Sequence, residues 1–115
     1  MTVAEVEAKI RSAVARAKAY GWHIIKNAYW DGKIGICPLG ACIIDEIADA
    51  SQKAEVPVRA AKRLGITECD AIDVMVGVDW NGEGRVGIEN RDGSVRYCTE
   101  DFLALGQRLR DLVDQ

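Results

Sequence analysis

The residues best suited to chemistry sit in one short stretch, Gly35-Ile-Cys-Pro-Leu-Gly-Ala-Cys42. Cys37 directly precedes Pro38, and proline suits the first position of a helix, where its missing amide has no partner to lose. Cys37 is therefore predicted to cap a helix. Its sulfur would lie near unpaired amides and the positive end of the macrodipole, a setting that favours thiolate. His23, the one histidine in the chain, would complete a minimal nucleophile–base pair. The competing reading makes Cys37 a small buried residue, with Gly40 and Ala41 permitting close helix packing.

A second chemistry is suggested by Asp79-Trp-Asn-Gly-Glu-Gly-Arg-Val-Gly-Ile-Glu-Asn90, which partly resembles an EF-hand calcium loop. Asp79, Asn81 and Glu83 fall at its first three side-chain ligand positions and Gly84 at its turn position. The loop departs from the pattern where a bidentate glutamate should close it, because Asn90 stands there and Glu89 comes one residue early. An ordinary turn rich in Gly, Asp and Asn is the competing reading, and no metal is expected to be held. The four cysteines (Cys37, Cys42, Cys69, Cys98) lack the paired short spacing of a zinc site. Gly82, Gly84 and Gly87 form neither a dinucleotide fingerprint nor a P-loop. Asp45 with Glu46, and Asp70 with Asp73, read as solvated helix faces. No cofactor is expected.

The aromatic residues offer contact surface rather than chemistry. Tyr20, Trp22, Tyr29 and Trp30 fall within eleven residues, and Trp80 lies on the glycine-rich loop. Trp22, Trp30 and Trp80 are candidate partner-binding residues, since Trp is favoured where interfaces concentrate their energy. The competing reading has Trp22 and Trp30 covering the core between the first two helices, which leaves Trp80 as the exposed one.

These residues need elements to hold them. Thr2 and Glu5 match a capping box, and Val3, Val6, Ile10, Val14 and Ala17 recur at helical steps, predicting a helix from Val3 to Tyr20 that ends at Gly21. Residues 22–36 change period around Asp31-Gly32 and predict a hairpin. Pro38 opens a helical face of Leu39, Ile43, Ile44 and Ile47, and Pro57 opens a short helix to Leu64 with Gly65 as its stop. Thr67 and Asp70 cap a further helix carrying Ile72, Met75 and Val76. Turn signals around Val86-Gly-Ile88 and at Asn90-Arg-Asp-Gly-Ser94 predict a second hairpin with Val95 and Tyr97. Thr99, Glu100 and Asp101 open a final helix with Phe102, Leu105, Leu109, Leu112 and Val113 as its stripe. The expected fold is α+β and mostly helical: long N- and C-terminal helices, two or three shorter helices, and one or two short β-hairpins. An all-α bundle is the alternative.

Composition sets the outer bounds. With 115 residues, 49% of them hydrophobic, the chain is expected to form one globular domain (residues 1–115) without disulfide staples. Charges at Glu5, Glu7, Lys9, Arg11, Arg16 and Lys18 interrupt any signal-peptide core or membrane span in the first twenty residues, so a soluble, cytoplasmic protein is expected. Residues 1–67 carry a balance of +3, residues 68–101 one of −6, and the last fourteen residues none. That asymmetry argues against a nucleic-acid binder and leaves an acidic face open to a basic partner. The leading expectation is a small non-enzymatic interaction module, acting through a protein partner or self-association, such as an acidic accessory or inhibitory protein. The alternatives are a cysteine-dependent enzyme or redox protein using Cys37 and His23, and calcium binding at residues 79–90.

Overall fold

Thr2 starts the first helix, its hydroxyl accepting from the Glu5 amide at 3.2 Å. Helix α1 runs over Val3–Ala19 and buries Val6, Ile10, Ala13, Val14 and Ala17 along one face. Its end is fixed by two backbone bonds, Gly21 to the Lys18 carbonyl and Trp22 to the Ala17 carbonyl, each 3.0 Å. This pairing requires a left-handed residue, and Gly21 supplies it at φ 93°. The reversal turns Trp22 back against the core. Helix α3, Glu55–Leu64, ends the same way, with Gly65 at φ 73° and the Ile66 amide bonded to the Ala61 carbonyl at 3.1 Å.

The computed structural model describes residues 2–26, 30–31, 35–46, 55–80, 86–90 and 92–113. In chain order the remaining elements are strands β1 (His23–Ile24), β2 (Trp30–Asp31) and β3 (Gly35–Ile36), helix α2 (Pro38–Ala41), α3, helix α4 (Glu68–Asp79), strands β4 (Gly87–Glu89) and β5 (Val95–Tyr97), and helix α5 (Glu100–Arg108), which tightens into a 3-10 helix at Leu109–Leu112. The fold is mostly helical α+β, as the sequence predicts, and not the all-α alternative.

The 22–36 region is more than a hairpin. Strands β2 and β3 pair antiparallel, Trp30 opposite Ile36 and Asp31 opposite Gly35. Strand β1 then adds to the other edge of β3 in parallel, His23 opposite Gly35 and Ile24 opposite Ile36. β3 therefore lies between the two strands that precede it in the chain. Ile24 and Ile36 are both fully buried, which explains the choice: pairing through β3 puts two β-branched side chains into the core beside α1. Helix α3 also starts earlier than predicted, so Pro57 lies in its first turn rather than opening it. Ile47 and the fading end of the predicted Pro38 helix lie outside the described residues. The described helix is one turn followed by turns to residue 46.

Helices α4 and α5 pack most closely. Gly77 and Gly106 face one another, both buried. A methyl on Gly77 would meet the Leu103 carbonyl oxygen and lie 2.9 Å from the Gly106 Cα. A methyl on Gly106 would meet the Val74 carbonyl oxygen and lie 2.8 Å from the Gly77 Cα. The backbones touch directly, with no side chain between them. Around this contact Val74, Val78, Leu105 and Leu109 are fully buried and join the α1 stripe in one core. Arg110 donates to the Val78 carbonyl at 2.9 Å and satisfies the end of α4. Across the far side, Glu7 on α1 accepts from Arg11 at 3.0 Å and from Arg108 at 2.9 Å, tying α1 to the C-terminal segment. Partly exposed pairs of this kind fix geometry more than they stabilise.

The α4–α5 contact gives a direct test. Gly106→Ala should lower stability by about 2 kcal/mol, because overpacking against a backbone carbonyl outweighs the ~1 kcal/mol gained from helix propensity. Urea denaturation measures this, and an unchanged or raised midpoint would contradict the close approach.

Candidate functional site

Cys37 occupies the capping position predicted for it. Its Sγ accepts from the Gly40 amide at 3.2 Å, and Pro38 opens α2. The acid–base consequence is the reverse of the sequence expectation. Cys37 is completely buried, and burial pushes its thiol up to about 12, against the lowering effect of the Gly40 and Leu39 amides. Desolvation of the charged form outweighs two amide dipoles and a one-turn helix. The group is a thiol at neutral pH. His23 lies on β1, exposed, opposite Gly35. With the imidazole solvent-facing and the sulfur sealed from water, the structure lends the nucleophile–base reading no support. Cys42 is 8% exposed, and burial holds its thiol up at about 12 as well.

The most developed surface feature is the β4–β5 hairpin. Its register sets Gly87 opposite Tyr97, Ile88 opposite Arg96 and Glu89 opposite Val95. Alternation then divides the ribbon into two faces. Gly87, Glu89, Val95 and Tyr97 point one way, and Ile88 and Arg96 the other. Val95 is 56% exposed and Tyr97 52%. Gly87 makes room for both, since a methyl there would lie 2.8 Å from Val95 Cγ1 and 3.5 Å from Tyr97 Cε1. The turn is held by Gly93 to the Asn90 carbonyl at 3.0 Å and Asn90 to the Ser94 carbonyl at 2.8 Å. Asp92 accepts from the Ser94 amide at 2.9 Å and from its hydroxyl at 2.5 Å. Those bonds hold the Asp92 carboxyl below its ordinary range.

The inward face rests on a buried carboxylate. Asp73 on α4 is 0% exposed, which corrects its reading as part of a solvated helix face. Arg96 Nη1 lies 2.9 Å from Asp73 Oδ1, an ion pair rather than an aligned hydrogen bond. The Thr99 amide donates to Oδ2 at 3.0 Å. Thr99 stands at the predicted cap of α5 but caps nothing with its own side chain, so Asp73 binds that helix start from a neighbouring element. Cys98, half-buried, has its thiol pushed up to about 11 by burial and by its hydrogen bond to Asp73. Arg96 also reaches the Cys69 carbonyl at 3.4 Å. One carboxylate thus fastens the hairpin and α5 to α4. Its signal in the sequence was slight: Asp73 precedes Gly77 by four residues and so shares the face that meets α5.

The other predicted residues are dispersed. Trp22 is half-buried against the core and Trp80, the residue after α4, is half-buried too, which corrects its expected exposure. Trp30 lies in β2, and its side chain falls outside the described residues. Asp79 is the exposed last residue of α4, while Asn81 and Glu83 lie outside the described residues. Among the described residues, no three His, Cys, Asp or Glu side chains are grouped to hold a metal ion, and no helix is long and apolar enough to cross a membrane. Sequence patterning marks Val95 and Tyr97 as strand residues and carries no sign of their exposure.

Comparison with known proteins finds no matching family model, no similar curated protein and no similar solved structure.

Asp73→Ala should cost about 3 kcal/mol, near the lower end for a broken buried pair because Arg96 remains partly solvated. It should also speed amide exchange in residues 95–97. A midpoint within ~0.5 kcal/mol of the parent, the range of ordinary surface substitutions, would remove Asp73 as the anchor. For the thiols the sign follows from their raised values. Folding favours the protonated form, so the stabilisation is complete below the ordinary value of 9.0 and is lost as pH climbs toward 12. The stability gap between the parent and Cys37→Ala should therefore narrow above about pH 9, by up to ~1.4 kcal/mol per pH unit. A constant gap would mean that Cys37 ionises normally in the fold.

Proposed function

We propose that this chain is a non-enzymatic interaction module whose docking surface is the outer face of the β4–β5 hairpin. The observation carrying this reading is the exposed pair Val95 and Tyr97, held on an anchored two-stranded ribbon. Single exposed apolar residues are ordinary, but a Tyr and a Val on adjacent same-face positions of a fixed ribbon make a contact patch. A two-stranded ribbon also has unpaired edges, which accept an added strand.

The partner is a protein segment combining apolar and basic residues. Glu89 shares the outer face with Val95, and exposed Asp92, Glu100 and Asp101 lie on the adjoining turn and helix start. Complementary charge raises the rate of encounter and selects orientation, while the apolar pair supplies the contact. The chain itself carries the matching charge in residues 1–67, with a balance of +3, so self-association is a second form of the same reading. The cysteine-dependent alternative draws no support from a sealed Cys37 and an exposed His23. Of the calcium alternative's candidate ligands, Asn81 and Glu83 lie outside the described residues.

Native mass spectrometry and sedimentation of tagged protein recovered gently from its own cells test the proposal. We expect a heavier species that weakens with added salt and is lost in Val95→Ser/Tyr97→Ser, with stability changed by only about 0.5 kcal/mol. A doubled mass would identify self-association, and an added mass a partner. A bare monomer, or a heavier species indifferent to the double variant, would overturn the hairpin surface.

A further inference from the structure

A groove of about 370 Å³ lies between α1, α3 and Cys42, the residue following α2. Its charged and hydroxylic lining consists of Lys9, Ser12, Arg16 and Arg63, over a floor that includes Cys42 and Leu64. Lys9, Ser12 and Arg16 follow one another at steps of three and four, so a single face of α1 presents them in a row. Arg63 enters from the last turn of α3. Lysine and arginine only donate hydrogen bonds, and the serine hydroxyl can donate as well. Such a set suits an anion with several acceptor oxygens.

The cations are not equally engaged. Arg63 Nη2 lies 2.8 Å from Asp45 Oδ2 and 2.7 Å from Glu46 Oε2. Among the described residues, Lys9 and Arg16 have no ion-pair partner. Asp45 shows how an oxyanion behaves here: its carboxyl is held below the ordinary range chiefly by the Arg63 hydrogen bond, and the Arg16 charge adds to the effect. The neighbouring cavity, about 670 Å³, shares Arg63 and sets Arg59 and Lys62 beside Glu46, Glu55 and Glu68. Its cations are matched by three carboxylates, and Arg59 is already paired with Glu46 and Glu55, so the carboxylate-free lining on the α1 side suits an anion better.

We propose that this groove binds a small molecule through a phosphate group, with Lys9, Arg16 and Ser12 holding the phosphate oxygens and Arg63 exchanging part of its contact with Asp45 for the ligand. Arginine matches phosphate oxygens in a fork, and lysine adds a point charge. A phosphate dianion calls on more than one cation, whereas a single carboxylate is already served by Arg63. The volume accommodates a phosphate with a compact organic body over the Cys42–Leu64 floor. This site is remote in sequence from the hairpin and independent of its role.

Titration calorimetry at low salt tests it, using pyrophosphate, a nucleoside diphosphate and the corresponding phosphate-free nucleoside as probes. The expected result is saturable one-to-one binding of both phosphates, none of the nucleoside, and weakening with salt. Equal affinities would mean that the phosphate alone is read, and tighter binding of the nucleotide that the floor contributes; both support the site. Lys9→Gln/Arg16→Gln should weaken binding by about tenfold or more. Asp45→Asn, which removes the competing carboxylate, should strengthen it by about threefold. Both variants alter exposed side chains, so an unchanged melting temperature checks the fold. Absence of saturable binding at millimolar phosphate, or binding indifferent to the double variant, would overturn the proposal.

Discussion

The direct contact of α4 and α5 backbones at Gly77 and Gly106 is the constraint on which the arrangement depends. With a methyl on either residue, the Leu103 or Val74 carbonyl would have to move. Dispersion falls steeply with distance, so helices separated by even a methyl lose contacts along their whole length. The approach also sets where α5 begins. Because α5 lies so near α4, Asp73 reaches the Thr99 amide at 3.0 Å. That reach then fixes the strand leading into α5, and through it the hairpin. Two glycines thus determine the placement of an element that contains neither of them.

Cys37 illustrates how competing electrostatic effects are decided by magnitude. A cap position next to a helix start lowers a thiol's pKa, and both the position and the amide bond are present. Helix α2, however, has only four residues, so few peptide dipoles align. Against them stands complete removal of the sulfur from water. A charged sulfur there would lose its hydration and gain only two amide contacts. The nearby Asp79 and Cys42 also disfavour negative charge at this point. The capping bond is therefore structural: it occupies an orphan amide with a soft acceptor in a place where water cannot enter.

Local signals were legible in the sequence where the chemistry itself is local. Thr2 and Thr67 cap their helices through the predicted amides, at 3.2 and 3.1 Å. Gly21 ends α1 as predicted, and the second hairpin forms between the predicted residues. The parallel addition of β1 to β3 was not legible, because alternation of apolar residues gives a strand no direction and no neighbour. The burial of Asp73 is hidden from the sequence for a related reason. A carboxylate on a helix is normally solvated, and its partners Arg96 and Thr99 come 23 or more residues later. Burial of Trp80 and exposure of Val95 and Tyr97 likewise follow from which face of a distant element is covered. Periodicity says that a face exists, but packing decides which one is used. Nothing in the sequence placed Lys9, Arg16 and Arg63 around one groove, since α1 and α3 meet only in the folded chain.

The charge asymmetry along the chain acquires a spatial meaning in the fold. The acidic residues of the 68–101 segment do not all face solvent: Asp73 is neutralised in the interior by Arg96. That pairing removes one of the three arginines in the segment from the surface balance, along with one acid. The exposed remainder, including Glu89, Asp92, Glu100 and Asp101, surrounds the hairpin and the start of α5. At that helix start the acids also oppose the positive end of the α5 dipole, so the local field is weaker than a charge count suggests. In the proposed reading, the apolar pair Val95 and Tyr97 carries the contact, and the acids govern which partners approach. On the α1–α3 side, Arg63 is engaged by Asp45 and Glu46, which leaves Lys9 and Arg16 to set the sign of the groove. Buried and surface pairing thus leave one acidic and one basic region at different places in a small domain.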